Sequence, residues 1–440
     1  NSMKKKLALL LAVAMTVSLL ASCGNQASKP PASQQPSGTP GQVQPTSDAP
    51  KEKVTVTYMT ESTLLPLKVD EINQSLQKTL PHITLDIIHV ADNYGTTVKS
   101  KFATGDPPDL FDWPGYTAIT PFVEAGYVLD ITDTGYVDSV IETFRPCGMY
   151  EGKVYGLPTQ VQANAMIYNI DCFEKAGIAE PPKTLTELKD ACEKLKAVGI
   201  IPFATGFKEA WVGNQTTWKF LSSGVGDYQT WYDAMMAGTG SFKNDKTYAA
   251  FELMDIILAN TVDMPLSSDA ANMSHLLGTG QAAITFLGEF QYDAIAKSNP
   301  DVRLAMAPTP VSEDPADAFM EFDGQQIIFS AAASKHTDAI KEVLGWFSSE
   351  EGARTISTLS KQGSAFNYDL SDVDLNPLGQ SSAEYIRAGG NTVAYIKNFW
   401  PAGLTGEAGK ILQNYISGTI DKDQFFTDMD EAFQRLAAQQ

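Results

Sequence analysis

Val54-Thr55-Val56-Thr57-Tyr58-Met59 and Ile83-Thr84-Leu85-Asp86-Ile87-Ile88 both alternate at period two, and the stretch from about Pro66 to Leu80 between them reads as helix. Alternation at that period puts successive side chains on opposite faces of a strand. Strand, helix and strand within about 35 residues is the signature of a parallel βαβ unit. The next helix is expected to stop at Phe102-Ala103-Thr104-Gly105, because Gly105 suits the left-handed residue after a helix and Pro107-Pro108 forbids continuation. Asp109-Leu110-Phe111-Asp112-Trp113 then reads as a short strand running into a loop. In open α/β sheets, ligands gather where strands end at their carboxyl side, which makes Asp112 and Trp113 candidates.

Toward the C-terminus the alternating α/β pattern continues. Thr184-Leu185-Thr186-Glu187 has the form of a capping box, followed by Leu188, Ala191, Leu195 and Val198 on one face and Gly199 at the stop. Further amphipathic segments fall near 247–260, 337–349, 407–417 and 431–437, and no internal repeat is evident.

Toward the N-terminus the reading changes from fold to address. Lys4, Lys5 and Lys6 follow Met3, and an apolar run extends from Leu7 to about Ala21. The run is shorter than the roughly 20 residues that span a bilayer, so residues 1–22 read as an export signal. It ends Leu20-Ala21-Ser22-Cys23-Gly24, which looks like a lipobox, with Cys23 as the acylated residue and two acyl chains giving a firm anchor. Residues 24 to 50 hold six Pro, five Gln, four Ser and three Gly, and no aromatic. Such a stretch cannot bury enough apolar surface to fold, so 23–52 reads as a lipidated Cys and a linker reaching about 30 Å.

The remaining chain is too long for one ordinary core and suggests two lobes. The formal charge of −20 becomes −23 once the three leader lysines are set aside. A body so acidic repels nucleic acid and anionic lipid. Cys147, Cys172 and Cys192 match no metal spacing, and buried free thiols are expected ahead of a Cys172–Cys192 disulfide. The four His are scattered.

From about residue 53 onward the chain resembles the extracellular solute-binding proteins of family 1, the sugar-binding group that includes maltose-binding proteins. The landmarks are Phe102–Phe111 (FATGDPPDLF), Val154–Pro158 (VYGLP), Ile167–Gly177 (IYNIDCFEKAG), Pro181–Thr184 (PPKT), Gly199–Phe203 (GIIPF) and Gly280–Ile284 (GQAAI), in the family's order. Ile170 and Cys172 depart from the family's usual residues, and Phe290 stands where many relatives have Trp. The resemblance implies a two-lobed α/β fold of the periplasmic-binding-protein type II class, with the ligand cleft between lobes and hinge crossovers near Pro158–Gln162, Ala307–Pro310 and 362–366. The implied lobes are 53–159 with 311–362, and 160–310 with 363–440. It implies capture of a carbohydrate, an oligosaccharide first, by lobe closure, and delivery to the permease subunits of an ATP-binding-cassette importer. A monomer anchored on the outer face of the membrane is expected, with no catalysis, cofactor or metal.

A sugar offers hydroxyls and flat C–H faces, which a cleft meets with polar side chains and aromatic rings. Trp113 leads on that basis, with Asp112 beside it. Glu61 and Ser62 follow the first strand. Gln160 and Gln162 lie on the first crossover, Trp211 on the second lobe, and Glu289 and Phe290 after Gly280–Ile284. Asp323 precedes an apolar strand, and Trp400 resembles the late aromatic of many sugar sites. Trp218, Trp231 and Trp346 read as core. Asp106, Asp109 and Asp112 recur every third residue, but the intervening prolines keep them from converging. Asp372-Val373-Asp374-Leu375-Asn376 mimics a calcium loop yet has Pro377 where Gly is needed. A secreted carbohydrate-active enzyme and a ligand sensor on the same fold remain the other readings.

Overall fold

The computed structural model describes residues 51–439, so the export signal, the lipobox and most of the linker lie outside the described residues. The βαβ reading holds at the start. β1 (Val54–Thr60), α1 (Val69–Thr79) and β2 (Ile83–His89) form a parallel pair with Val54 level with Ile83. The expected helix from Pro66 is broken at Lys68, and its first part is a separate short turn at Leu64–Leu67. α2 (Tyr94–Ala103) stops as expected, with Gly105 at φ +75°. β3 (Leu110–Asp112) follows and pairs in parallel with β1.

One strand then organises the rest. β4 (Gly156–Asn169) runs for 14 residues. After it come α3 (Leu185–Ala197), β5 (Ile201–Phe203), α4 (Ala210–Ser222), β6 (Ala282–Gly288), β7 (Leu304–Ala307) and β8 (Met320–Ser330). α5 (Glu350–Ser360), β9 (Gly363–Ser364), α6 (Pro377–Arg387) and β10 (Thr392–Ala394) lead into the C-terminal helices. At the start of α3, Thr184 accepts from the Glu187 amide at 3.1 Å, but the Glu187 carboxylate turns back to the Lys183 amide and not to that of Thr184.

The first half of β4, from Gly156 to Asn164, pairs with β8, which leads through β3 and β1 to β2. The second half, from Asn164 to Tyr168, pairs with β6 and so with β5, while β7 lies along Met166–Asn169. Two half-sheets therefore share one strand. The segment Ala307–Pro310 stays beside the second half of β4, where Ala307 pairs with Met166 and Thr309 bridges Phe319. The strand that returns along β4 is β8, and β9 meets β4 at Gln160 and Val161.

Buried apolar side chains form two clusters, one around Val56, Leu85, Phe111 and Phe329, the other around Phe203, Phe220, Phe251 and Phe425. Each such side chain contributes about 1.5–3 kcal/mol on burial. Cys147, Cys172 and Cys192 are buried and free, and burial pushes their thiols up to about 12, 11 and 12.

Gly156 pairs with Phe329, and a Cβ there would meet that buried ring at 2.5 Å. Gly156→Ala is therefore expected to cost about 3 kcal/mol and lower the melting temperature by about 5 °C or more, read by differential scanning calorimetry.

Candidate functional site

Strand direction brings the carboxyl ends of the two half-sheets face to face. β8 is antiparallel to β3 and to β4, so β1, β3 and β4 point one way. β6 is antiparallel to β4, and β5 runs with β6. The ends of β1 and β3 thus face the ends of β5 and β6 across the middle of β4. Asp112 is level with Ile328, whose partner is Leu157, and Gly288 is level with Asn164. At about 3.3 Å per residue, the interval from Leu157 to Asn164 separates the two rims by roughly 23 Å. Gln160 and Gln162 of β4 occupy that interval, paired with Gln325 and Asp323 of β8.

The first rim carries Glu61, exposed, and Ser62, half-buried, directly after β1. Asp112 is buried at the end of β3 and accepts from the hydroxyls of Tyr58 and Thr60. Burial pushes its carboxyl up to about 7, against the lowering effect of those two hydroxyls. Both carboxyl oxygens are thus used inside the protein. Trp113 is half-buried, its ring 4.8 Å from that of Phe122 and its indole N–H donating to the Ala118 carbonyl at 2.9 Å.

The second rim carries an aromatic pair. The rings of Trp211 and Phe290 lie 6.2 Å apart and remain 40% and 44% exposed. Beside them Glu289 is buried, and one oxygen accepts from Ser382 Oγ at 2.9 Å. The other has no partner among the described residues, and burial pushes this carboxyl up to about 7. Trp400 does not reach a rim: it is buried with its ring 5.9 Å from Phe242. At the base, Asp323 accepts from Asn398 at 2.8 Å, Gln325 at 3.2 Å and Lys397 at 3.3 Å. Gln160 donates to Ser360. The structure therefore gathers Glu61, Ser62, Asp112 and Trp113 on one side, Trp211, Glu289 and Phe290 on the other, and Gln160, Gln162 and Asp323 between.

Sequence reasoning missed the polar cluster under this base. Lys219 of α4 and Glu321 of β8 form a fully buried 2.6 Å pair, joined by Ser222 at 2.8 Å. Burial lowers Lys219 to about 8 and raises Glu321, so both are drawn toward their neutral forms. Asn164 donates to Gln215 at 2.6 Å beside them. The available signal was a lysine inside the apolar run Thr216-Thr217-Trp218-Lys219-Phe220-Leu221. Gln326 was missed too: it holds φ +49° in mid-strand, and its side-chain oxygen lies 3.4 Å from the Tyr58 hydroxyl. The acidic triplet does not converge, since Asp106 pairs with Lys101 while Asp109 is held by Thr57 and Ser334. Asp372 and Asp374 are taken by Arg354 and Lys361.

The profile of the family described as bacterial extracellular solute-binding protein matches residues 58–354. The chain belongs to that family. Its members are binding proteins. The multiple sugar-binding protein of Streptococcus mutans is 25% identical over 292 residues, covering 66% of this chain and 61% of that protein. The chain spans about three fifths of the length of the curated relatives it matches. Among solved structures, apo RafE from Streptococcus pneumoniae superposes with a TM-score of 0.75 at 17% identity, over 88% of this chain and 99% of that one. RafE in complex with raffinose gives 0.65 at 18% identity, over 88% of this chain and 100% of that one. The fold is thus the two-lobed α/β arrangement with the cleft between lobes. Among the described residues no helix is long and apolar enough to cross a membrane.

The raised carboxyls make stability depend on pH. Asp112 and Glu289 have folded values near 7 against about 4 when unfolded. Their protonated forms favour the folded state, so their contribution is complete below about pH 4 and is lost as pH rises through 7. Stability is expected to fall by about 2 kcal/mol per group between pH 5 and pH 7.5, read as a lowered melting temperature. Asp112→Asn should flatten part of that fall, and an unchanged slope would assign it elsewhere.

Proposed function

We propose that this protein captures a neutral carbohydrate, an oligosaccharide, by closing two lobes on it, and delivers it to the permease subunits of an ATP-binding-cassette importer. The observation that carries the reading is the exposed Trp211–Phe290 pair opposite the Glu61–Trp113 rim, over a base of amide and carboxylate groups. Exposed rings cost nothing only if something covers them in use, and C–H faces of sugar rings do so. A separation of roughly 23 Å suits a ligand longer than one ring. The Streptococcus mutans relative, named as a multiple sugar-binding protein, and the raffinose held by RafE support the same class.

The acids at the base are neutralised locally, Glu321 by Lys219 and Asp323 by Lys397 and Asn398, which favours an uncharged guest. A glycosidase is disfavoured. Its two carboxyls stand within about 10 Å of each other, whereas Asp112 and Glu289 lie at opposite rims.

The lobes are read as 53–159 with 311–362 and 160–310 with 363–440, the return path running along β8. In this reading residues 1–22 are removed, Cys23 carries the lipid at the outer face of the cell membrane, and the protein acts as a monomer.

Isothermal titration with raffinose, maltotriose and related oligosaccharides tests the reading, together with chromatography for released products. Trp211→Ala and Phe290→Ala are each expected to weaken binding about tenfold or more while leaving the unliganded melting temperature nearly unchanged. Full affinity in both variants would overturn the assignment of this rim, and cleavage products would replace the binder with an enzyme.

A further inference from the structure

One face of α4 runs from the second rim down to the base of the cleft. Trp211, Gln215, Trp218 and Ser222 recur at intervals of four, three and four residues, which sets them on one side of the helix. Trp211 is exposed at the rim beside Phe290. At the other end Ser222 donates to Glu321 at 2.8 Å, and the Lys397 ammonium lies 5.7 Å from the centroid of the Trp218 ring. Gln215, one turn on from Trp211, therefore stands between the exposed ring and the base, and it keeps 7% of its surface accessible.

The direction of its amide is set by its neighbours. Glu321, Asn164 and Gly288 are level across three strands, and Glu321 Oε2 accepts from Lys219 at 2.6 Å. Asn164 turns its nitrogen toward that oxygen, 3.4 Å away, because two facing acceptors repel. The second N–H of the same nitrogen is donated to Gln215 Oε1 at 2.6 Å. With its oxygen taken by the strand, Gln215 presents its nitrogen away from it. That nitrogen has no partner among the described residues and is not one of the fully enclosed polar atoms, so the opening of the residue includes it.

We propose that Gln215 is a specificity-determining residue of the cleft, donating a hydrogen bond from its side-chain N–H to an oxygen of the sugar unit that rests on Trp211. Asn164 and the buried Lys219–Glu321 pair are positioning residues, which hold this amide as a donor and keep it from turning round. The unit on Trp211 then has to offer an acceptor at that point, a hydroxyl or ring oxygen. The role rests on the sugar-binding reading and deepens it, giving the buried ion pair a part in recognition.

Isothermal titration with raffinose, maltotriose and related oligosaccharides, joined to NMR of protein labelled with nitrogen-15 at glutamine, tests the proposal. Gln215→Glu keeps the oxygen that Asn164 uses and exchanges the outward nitrogen for an acceptor; it is expected to weaken binding about tenfold or more. Gln215→Leu removes the donor without adding charge and is expected to weaken binding about fivefold. In the unsubstituted protein the Gln215 amide protons should shift as ligand saturates and exchange more slowly with water. Asn164→Ala, which frees the Gln215 oxygen, should move those signals toward the positions of exposed glutamines before any ligand is added. Undiminished binding in either folded variant overturns the role of Gln215; if neither variant folds, an amide that ligand leaves unmoved in the unsubstituted protein does so. Gln215 signals that keep their positions in Asn164→Ala overturn the positioning. If no oligosaccharide binds the unsubstituted protein, the sugar reading falls and this role with it, whereas binding that ignores Gln215 retires the role alone.

Discussion

Hydrogen bonding along β4 is the constraint on which the molecule depends. Its first half is zipped to β8 and its second half to β6, so neither half-sheet can be completed without the other's strand. A one-residue slip would turn every side chain of β4 to the opposite face, exposing Val161 or burying Gln162, and both half-sheets would lose their pairing together. The same shared strand sets where the halves can move. Any rotation must be absorbed between about Pro158 and Asn164, where β8 carries Gly324 and the left-handed Gln326. A non-glycine residue in that conformation stores about 1 kcal/mol or more, held in place by the surrounding ladder.

The polar groups at this crossing explain how an acidic chain presents a neutral recess. Desolvating Lys219 and Glu321 costs several kcal/mol each, and their contact recovers it only with the further hydrogen bond from Ser222. Asp323 is held by an amide, an ammonium and a second amide. Asp112 and Glu289 approach neutrality by taking up protons. The interior of the crossing is thus nearly uncharged although the full chain has a formal net charge of −20. Such a recess discriminates by hydrogen-bond geometry more than by charge.

The aromatic residues divide along the same line. Trp218, Trp346 and Trp400 are consumed in packing, and Trp113 is largely so, its ring set against Phe122 and Tyr94. Trp211 and Phe290 stay more exposed than the other tryptophans and phenylalanines among the described residues, and their rings lie 6.2 Å apart. Exposure of this kind is a property of neighbours, and those neighbours lie some eighty residues apart in the chain.

The amino-acid sequence by itself determined what local rules control. Alternation set β1 and β2, Gly105 and the following prolines ended α2, and Thr184 capped α3; the carboxyl-end rule placed Asp112 and Trp113 at a strand end, and the family resemblance supplied Glu289 and Phe290. It also foretold three buried free thiols. What it could not determine was which of the candidate rings stay uncovered, why Trp400 turns inward, or that Asp323 lies beside Gln162. Those outcomes follow from contacts between segments some eighty to a hundred and sixty residues apart, and no local propensity encodes a register of that range. The buried Lys219–Glu321 pair belongs to the same class, because a charge can sit in an apolar helix only where a distant strand supplies its partner.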